Sequence, residues 1–197
     1  GGGGEWSLLR PYYGMKLLWN PYQDADAILR DFLRGYYGAA WEPMWRVIER
    51  LHDKVEHDDI HMHLYTNPAQ GYLPDEIVYA SEADFDEAER LVAADPELLE
   101  RVRVARMPFV YARMYPRNGY VIDGNRLRWQ GEITPLSEAK AFMDRMKAHG
   151  FTTLREVAGD IPTHMLLYRM FLMPHPVRTL KNDQIAVDVV PSMAGRA

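Results

Sequence analysis

A run of histidines and carboxylates lies at residues 56–63, where the letters EHDDIHMH place three of each in eight positions. Imidazole nitrogens and carboxylate oxygens are ligands for zinc and similar ions, so a small metalloenzyme using His57, His61 and His63 is one interpretation. The spacing matches no known metal-binding motif, and the alternative is a solvated helix end. We therefore predict no metal site in the chain.

Paired carboxylates are the second chemical possibility, because glycosidases and many other hydrolases place two acids across a substrate. The chain has 28 acidic residues. The densest group has the spacing of a charged helix face with Arg90 nearby, and it consists of Glu82, Asp84, Asp86, Glu87 and Glu89. Glu156, close to Gly159, is the least surface-like acid. A structural role is favoured for all of them, and we predict no catalytic residue.

Four aromatic residues, Tyr36, Tyr37, Trp41 and Trp45, cluster around the turn between two predicted helices. Tyr and Trp offer a flat apolar face and a polar edge, which suits stacking on a sugar ring. The alternative is structural, since such side chains also staple helices together or dock a segment on a neighbour. If the chain contacts a substrate, these four residues are the predicted substrate-binding residues.

Several classes of function are excluded by composition. The chain lacks cysteine, which excludes disulfides, thiolate metal sites and a cysteine nucleophile. It has neither a phosphate-binding glycine loop nor a Gly-x-Ser-x-Gly elbow, and no cofactor is predicted. With a net charge of −5 and no basic run, the chain is a poor candidate for a nucleic-acid binder. It contains no apolar stretch of about 18 residues, so no membrane span is predicted.

The aromatic cluster lies within a predicted helical hairpin over residues 24–56. Asp24 is a suitable N-cap for the first helix, and Gly38 occupies the position that favours a left-handed residue after Tyr37. The apolar residues of the first helix recur at helical steps: Ile28, Leu29, Phe32, Leu33, Tyr36 and Tyr37. A second helix is predicted over residues 41–56, and a less regular one within residues 5–19.

The remaining elements mix helices and strands. A helix is predicted within residues 75–94, with a possible restart at Ser81, because Asp84 three positions later resembles a capping box. Asp95 is the predicted N-cap of the next helix, which Pro108 should kink. A β-hairpin is predicted over residues 120–129, a helix over 135–149 and a half-buried strand over 185–189. Residues 151–175 fit either a helix or a strand.

Residues 17–38 carry a family resemblance. The segments LLWNP at 17–21 and ILRDFLRGYYG at 28–38 resemble the LLW-(D/N)-P … EFL-x-GYYG-xA pattern of an uncharacterised bacterial family related to the α-glucuronidases. The segments FDEAE at 85–89 and VRVARMPFVY at 102–111 fit the same pattern. The resemblance covers about residues 5–115.

This resemblance implies a glycoside-hydrolase-like protein in a periplasmic or extracellular setting. An N-terminal α/β domain would precede a (β/α)8 barrel that carries the catalytic acids, and this chain would be the helical region that follows. The chain starts with four glycines and stops directly after a predicted strand, as a piece of a longer protein would. The tail IAVDVVPSMAGR at 185–196 resembles the first strand of a mutarotase-like β-sandwich, although Ala194 replaces the usual glycine.

Together these observations predict a mainly α protein, an antiparallel helical bundle with a small β-hairpin and an α+β C-terminal part. The expected domains are a helical accessory domain at 5–115, a hairpin with a helix at 116–180, and the first sandwich strand at 181–197. The expected function is support of a missing catalytic barrel of the same protein, with carbohydrate as a possible ligand. The chain alone would then be inactive, and its parent would be a glycoside hydrolase. The alternative is a non-catalytic helical binding or dimerisation module.

Overall fold

The chain is mostly helical, which confirms the predicted class. The computed structural model describes residues 6–61, 71–114, 120–129, 136–151, 175–176 and 178–189. They divide into two compact units, one up to Arg113 and one from Met114 onward. We call the first the helical unit. The domain boundaries expected from the sequence stay a prediction.

Five α-helices and one short 3₁₀ helix are described up to Met114. They are α1 (Leu9–Trp19), α2 (Ala25–Tyr37), the 3₁₀ turn (Gly38–Ala40), α3 (Trp41–His57), α4 (Asp75–Leu91) and α5 (Pro96–Met114). In the described part of the chain, none of the helices is both long enough and apolar enough to span a bilayer.

The hairpin of α2 and α3 forms as the sequence predicts. The Asp24 carboxylate accepts hydrogen bonds from the backbone N–H groups of Asp26 at 2.9 Å and Ala27 at 3.1 Å, so it caps α2. Gly38 ends α2 with a φ of +54°. A Cβ atom at Gly38 would also lie 2.8 Å from Cδ1 of Leu98 in α5. The backbone angle therefore requires glycine at this position, whereas a shift of the Leu98 side chain could relieve the close contact.

The core of the helical unit is built from the apolar stripes of four helices. Phe85 of α4 and Phe109 of α5 meet edge to face at 4.9 Å, and both are fully buried. The other large side chains that are fully buried are Leu33, Met44, Val47, Val78 and Val102, together with Pro43 and Ser81. Burial of each large apolar side chain contributes about 1.5–3 kcal/mol.

The predicted restart of a helix at Ser81 is wrong, because α4 runs without a break from Asp75 to Leu91. The Ser81 hydroxyl donates to the carbonyl of Ile77 one turn earlier, at 2.7 Å, instead of capping a new helix. The Asp84 carboxylate turns away from the backbone of α4 and binds Arg46 and Arg50 of α3. Neither member of the expected capping box therefore caps a helix. The Ser81 hydroxyl bonds to Ile77 within α4 and accepts from Arg50, and Asp84 bonds to arginines of α3.

The cap predicted for α5 is confirmed. The Asp95 carboxylate accepts hydrogen bonds from the N–H groups of Glu97 at 3.0 Å and Leu98 at 3.1 Å. Pro96 occupies the first helical position, where its missing N–H costs nothing. Pro108 lies inside α5, and the helix continues past it to Met114.

The second unit contains the remaining described elements. Strands β1 (Tyr120–Asp123), β2 (Arg126–Trp129) and β3 (His175–Pro176) form one antiparallel sheet in that order. Helix α6 (Leu136–Ala148) buries Phe142, Met143 and Met146. The structure therefore confirms the hairpin at 120–129 and the helix predicted over 135–149. The segment 152–174, which includes most of the ambiguous stretch, lies outside the described residues.

A second hairpin closes the described chain. Strand β4 (Arg178–Lys181) pairs antiparallel with β5 (Ala186–Val189), and Leu180 lies opposite Val187. Residues 186–189 therefore form a strand as predicted, but its described partner is β4, which the sequence patterns did not indicate. The half-buried character predicted for this strand is wrong at Val187, which is 51% exposed. The mutarotase-like beginning stays a prediction.

Candidate functional site

Two arginine–tryptophan stacks join α2 to α3. The guanidinium of Arg34 lies 4.3 Å from the ring centre of Trp41, and that of Arg30 lies 4.5 Å from the ring centre of Trp45. Each pair of like residues is one helical turn apart, so two antiparallel helices bring them into register. Both tryptophans are half-buried. We call these four residues the arginine–tryptophan ladder.

Tyr36 is held by neighbours on several sides. Its ring stacks on Phe32 at 5.1 Å, and the guanidinium of Arg101 from α5 lies 4.5 Å from its centre. Arg101 also donates a hydrogen bond of 2.8 Å to the Tyr36 carbonyl, one of the last carbonyls of α2. Tyr36 therefore fastens α5 to the end of α2.

Tyr37 is a core residue, and its predicted contact with a substrate stays a prediction. Only 3% of the residue is exposed. Trp6 meets its ring at 6.1 Å and Tyr36 at 4.9 Å, both edge to face. Burial raises the pKa of the Tyr37 phenol far above its ordinary value of 10.0, with a smaller contribution from Tyr36.

The four predicted aromatic residues therefore separate into two groups. Tyr36 and Tyr37 serve the packing of α2, whereas Trp41 and Trp45 remain half-buried on one side of the hairpin. The two arginines of the ladder were not among the predicted site residues. The spacing of Arg30 and Arg34 on α2 matches that of the tryptophans, and this signal in the sequence could have identified them.

The acid-rich stretch of α4 joins this helix to α3, and we call the contacts of Asp84 with Arg46 and Arg50 the tie. The interpretation of this stretch as a charged surface is wrong for Asp84. The Asp84 side chain is 9% exposed. It accepts hydrogen bonds from Nε of Arg46 at 2.7 Å and from Nη2 of Arg50 at 2.6 Å. Arg46 also reaches Glu87, and Arg50 donates to the Ser81 hydroxyl at 3.0 Å. The bond to Asp84 is the main cause that raises the pKa of Arg46.

The opposite side of α4 is tied to α5 in the same way. Arg106 binds Glu82, Asp86 and Glu89, and Arg103 reaches Glu89 at 3.1 Å. Burial lowers the pKa of Arg106, but the bonds to the carboxylates outweigh it, and the net effect is an increase. Helix α4 therefore lies as an acidic strip between arginines of α3 and α5.

The histidine–carboxylate run does not assemble a metal site within its described part. His57 is the last residue of α3, and His61 is 82% exposed with Nε2 3.6 Å from Oδ1 of Asp59. Asp58 is paired with Lys54. Among the described residues, no group of three or more potential ligands could hold a metal ion. His63 and Glu156 lie outside the described residues.

Apolar side chains on α1 and at its two ends are exposed, with Leu8 just before the helix and Tyr22 in the turn after it. The exposed fractions are 55% at Leu8, 69% at Met15, 86% at Leu18, 90% at Trp19 and 95% at Tyr22. We call these five residues the α1 stripe. Large exposed apolar patches mark interaction surfaces more often than scattered single residues do.

Comparison with known families matches residues 2–49 to a domain of unknown function, DUF4838. The match covers about a quarter of the chain and contains the α1 stripe and the arginine–tryptophan ladder. No curated protein and no solved structure matches the chain. The comparisons thus support an uncharacterised family for the N-terminal segment.

Proposed function

We propose that the helical unit is an accessory region of a glycoside-hydrolase-like, carbohydrate-processing protein. In this proposal it supports a (β/α)8 catalytic barrel of the same protein and contributes Trp41 and Trp45 to a sugar-binding surface. The proposal starts from the LLWNP and GYYG segments, which resemble a family related to the α-glucuronidases. These segments lie within the residues that match the uncharacterised domain.

The observation that carries the sugar contact is the arginine–tryptophan ladder. The two half-buried indoles lie one helical turn apart, and each has a guanidinium over its ring, so the exposed part of each ring is positioned in advance and little side-chain entropy is lost on binding. In the proposal, an apolar sugar face contacts the part of each ring that the guanidinium leaves uncovered. The guanidinium groups of Arg30 and Arg34, which lie over the rings, supply N–H donors for hydroxyl or carboxylate oxygens of the sugar.

The described carboxylates of α4 are consistent with a supporting role. Asp84, Glu82 and Glu89 each bind one or more arginines of the neighbouring helices. These acids hold α3, α4 and α5 together. The paired acids of a glycosidase face a substrate instead, with room for it between them. In the proposal, the catalytic pair therefore belongs to the barrel.

The sugar contact is tested by two-dimensional NMR of the indole N–H groups. The chain has five tryptophans, so five indole signals are expected. Cellohexaose, xylohexaose and glucuronoxylan oligosaccharides are titrated separately. We expect the signals of Trp41 and Trp45 to shift with at least one sugar and binding to disappear in Trp41→Leu and Trp45→Leu chains.

Trp19 provides the matched control, because at 90% exposure it is more accessible than either ladder residue. A Trp19→Leu chain should bind the sugar as well as the original chain does. Shifts confined to Trp19, or no shift with any of the three sugars, would remove the ladder from the proposed function.

The barrel is tested by reading the coding sequence on both sides of the 197 residues. The proposal expects an upstream (β/α)8 region with a pair of carboxylates at the ends of its strands. A reading frame without such a region would contradict the accessory role and favour a free-standing helical binding module.

A further inference from the structure

We propose that the α1 stripe is the interface of a two-fold symmetric homodimer, in which α1 packs antiparallel against α1 of a second copy. The surface is defined by Leu8, Met15, Leu18, Trp19 and Tyr22, which are 55–95% exposed. The occupant is a second copy of this chain, for reasons of area, symmetry and charge.

The area of the stripe is near that of a stable interface. Since an aromatic side chain alone presents about 150–250 Å², the five residues together present on the order of 600 Å². A standard interface buries about 800 Å² on each partner. The stripe with a narrow polar rim reaches this size, and it exceeds what scattered exposed apolar residues would present.

The spacing of the stripe is symmetric about Met15. The exposed Pro11 and Trp19 lie four residues before and after Met15, and all three residues are within α1. When a two-fold axis passes through Met15, Pro11 of one copy faces Trp19 of the other. A surface that is complementary to its own rotated copy is what an isologous dimer requires.

The charges of α1 leave the stripe apolar. Lys16 turns toward α2, where its ammonium lies 3.7 Å from the carboxylate of Asp31. The hydroxyl of Tyr12 donates to the same carboxylate, and the ring of Tyr12 meets Phe32 at 5.4 Å. One side of α1 is therefore fastened to α2. The exposed Arg10, five positions before Met15, lies on a different side of α1 and brings no charge into the stripe.

The oligomeric state of the full 197-residue chain gives the first test. Sedimentation velocity over about 1–100 µM shows a dimer when the dimerisation Kd is micromolar or tighter, which is the range of standard interfaces. We expect a dimer, and we expect Trp19→Glu and Leu18→Glu each to weaken the dimerisation Kd about 30-fold or more, as a charge at the centre of an interface does. Both side chains are exposed, so neither substitution removes core packing.

Leu180→Glu is the matched control, because Leu180 is 62% exposed on β4 and lies outside the stripe. This variant should dimerise like the original chain. A monomer at every concentration, or a dimer that Leu180→Glu abolishes and Trp19→Glu does not, would overturn the proposal.

Cysteine cross-linking tests the antiparallel register directly, since the chain has no cysteine of its own. A Met15→Cys chain should form a disulfide-linked dimer with itself. Pro11→Cys and Trp19→Cys chains should link to each other when mixed and much less to themselves, because in an antiparallel pair like positions are about 12 Å apart along the helix. Self-linking of the Pro11→Cys chain without mixed links would overturn this geometry.

This inference and the proposed function are tested separately by measuring the oligomeric state of a longer gene product that carries a barrel. If that product is a monomer and buries Trp19 against the barrel, the dimer is overturned and the accessory role stands. If it is a dimer that Trp19→Glu dissociates, the inference holds for the longer protein as well.

Discussion

Helix α3 meets its two neighbours through arginine in two different ways. Toward α2 it presents the rings of Trp41 and Trp45, on which arginines of α2 stack. Toward α4 it presents Arg46 and Arg50, which grip the carboxylate of Asp84. The same cationic group thus joins one helix pair through ring faces and the other through a buried charge.

The two interfaces should differ in strength and in what disrupts them. A stacked guanidinium keeps access to water and contributes about 0.5–1 kcal/mol. Asp84 has given up most of its hydration and depends on its two arginines for compensation. Loss of a partner is therefore tolerated in the ladder and costly in the tie.

The largest effect is expected at the tie. Asp84→Ala should lower the free energy of unfolding by about 2–4 kcal/mol, because it leaves two partly buried arginines without their shared acceptor. Urea unfolding followed by circular dichroism measures this change. Asp86→Ala on the same helix is the control, since that side chain is 69% exposed and its loss should cost about 1 kcal/mol or less. Equal effects at the two positions would erase the proposed difference.

High pH should instead destabilise the helical unit through Tyr37. The folded state raises the pKa of Tyr37 above 10.0, so the stabilisation is complete below pH 10 and is lost as the pH rises further. The loss above pH 10 amounts to about 1.4 kcal/mol per pH unit. Absorbance of tyrosinate should show one phenol that ionises only with unfolding, and Tyr37→Phe should raise the pH of alkaline unfolding. Early ionisation of every tyrosine would contradict the burial of Tyr37.

The ladder should show a smaller, pairwise effect. A double-mutant cycle on Arg30→Ala and Trp45→Ala should give a coupling of about 0.5–1 kcal/mol. Arg34 and Trp41 should give a similar value, whereas the non-stacked combination of Arg30 with Trp41 should give a smaller one. Thermal or urea unfolding supplies the four free energies for each cycle. Equal coupling for stacked and non-stacked combinations would show that the rings hold the helices by area alone.

The smallest effect is expected at the exposed end of the α3–α4 interface. The bond to Lys54 lowers the pKa of Asp58 below 3.8, so its contribution is complete above pH 3.8 and is lost as the pH falls through the lower folded value. Asp58→Asn should therefore reduce stability slightly at pH 6 and by a smaller amount at pH 3. A difference that is the same at both pH values would show that the charge of Asp58 plays no part.

Local patterns predicted much of the helical unit. The apolar steps of α2 and α3, the caps at Asp24 and Asp95, and the glycine at position 38 all act within a few residues, and each is confirmed. The predictions that the structure overturned depended on distant residues. The capping box at Ser81 was wrong because Arg50, far away in sequence, competes for the Ser81 hydroxyl.

The candidate site shows the same limit. The sequence pointed to four aromatic residues, and three of them, Tyr36, Trp41 and Trp45, are half-buried on the α2–α3 hairpin. It could not separate Tyr37 from Trp45, because both fit an amphipathic helix that has one apolar face. The exposure of each ring depends on where Trp6 and the other helices pack. The spacing of apolar residues along one helix does not specify this.

The sequence by itself determined the mainly helical class, the ends of α2 and α3, the start of α5, and the hairpin at 120–129, because capping and periodicity are local interactions. Only the tertiary structure decided which acids are ties, which rings are core and which side of α1 stays exposed. These properties depend on partners in other helices, such as Arg46 and Asp84, which are separated by 38 positions. Burial and charge pairing are properties of the packed chain, and a one-dimensional pattern carries them incompletely.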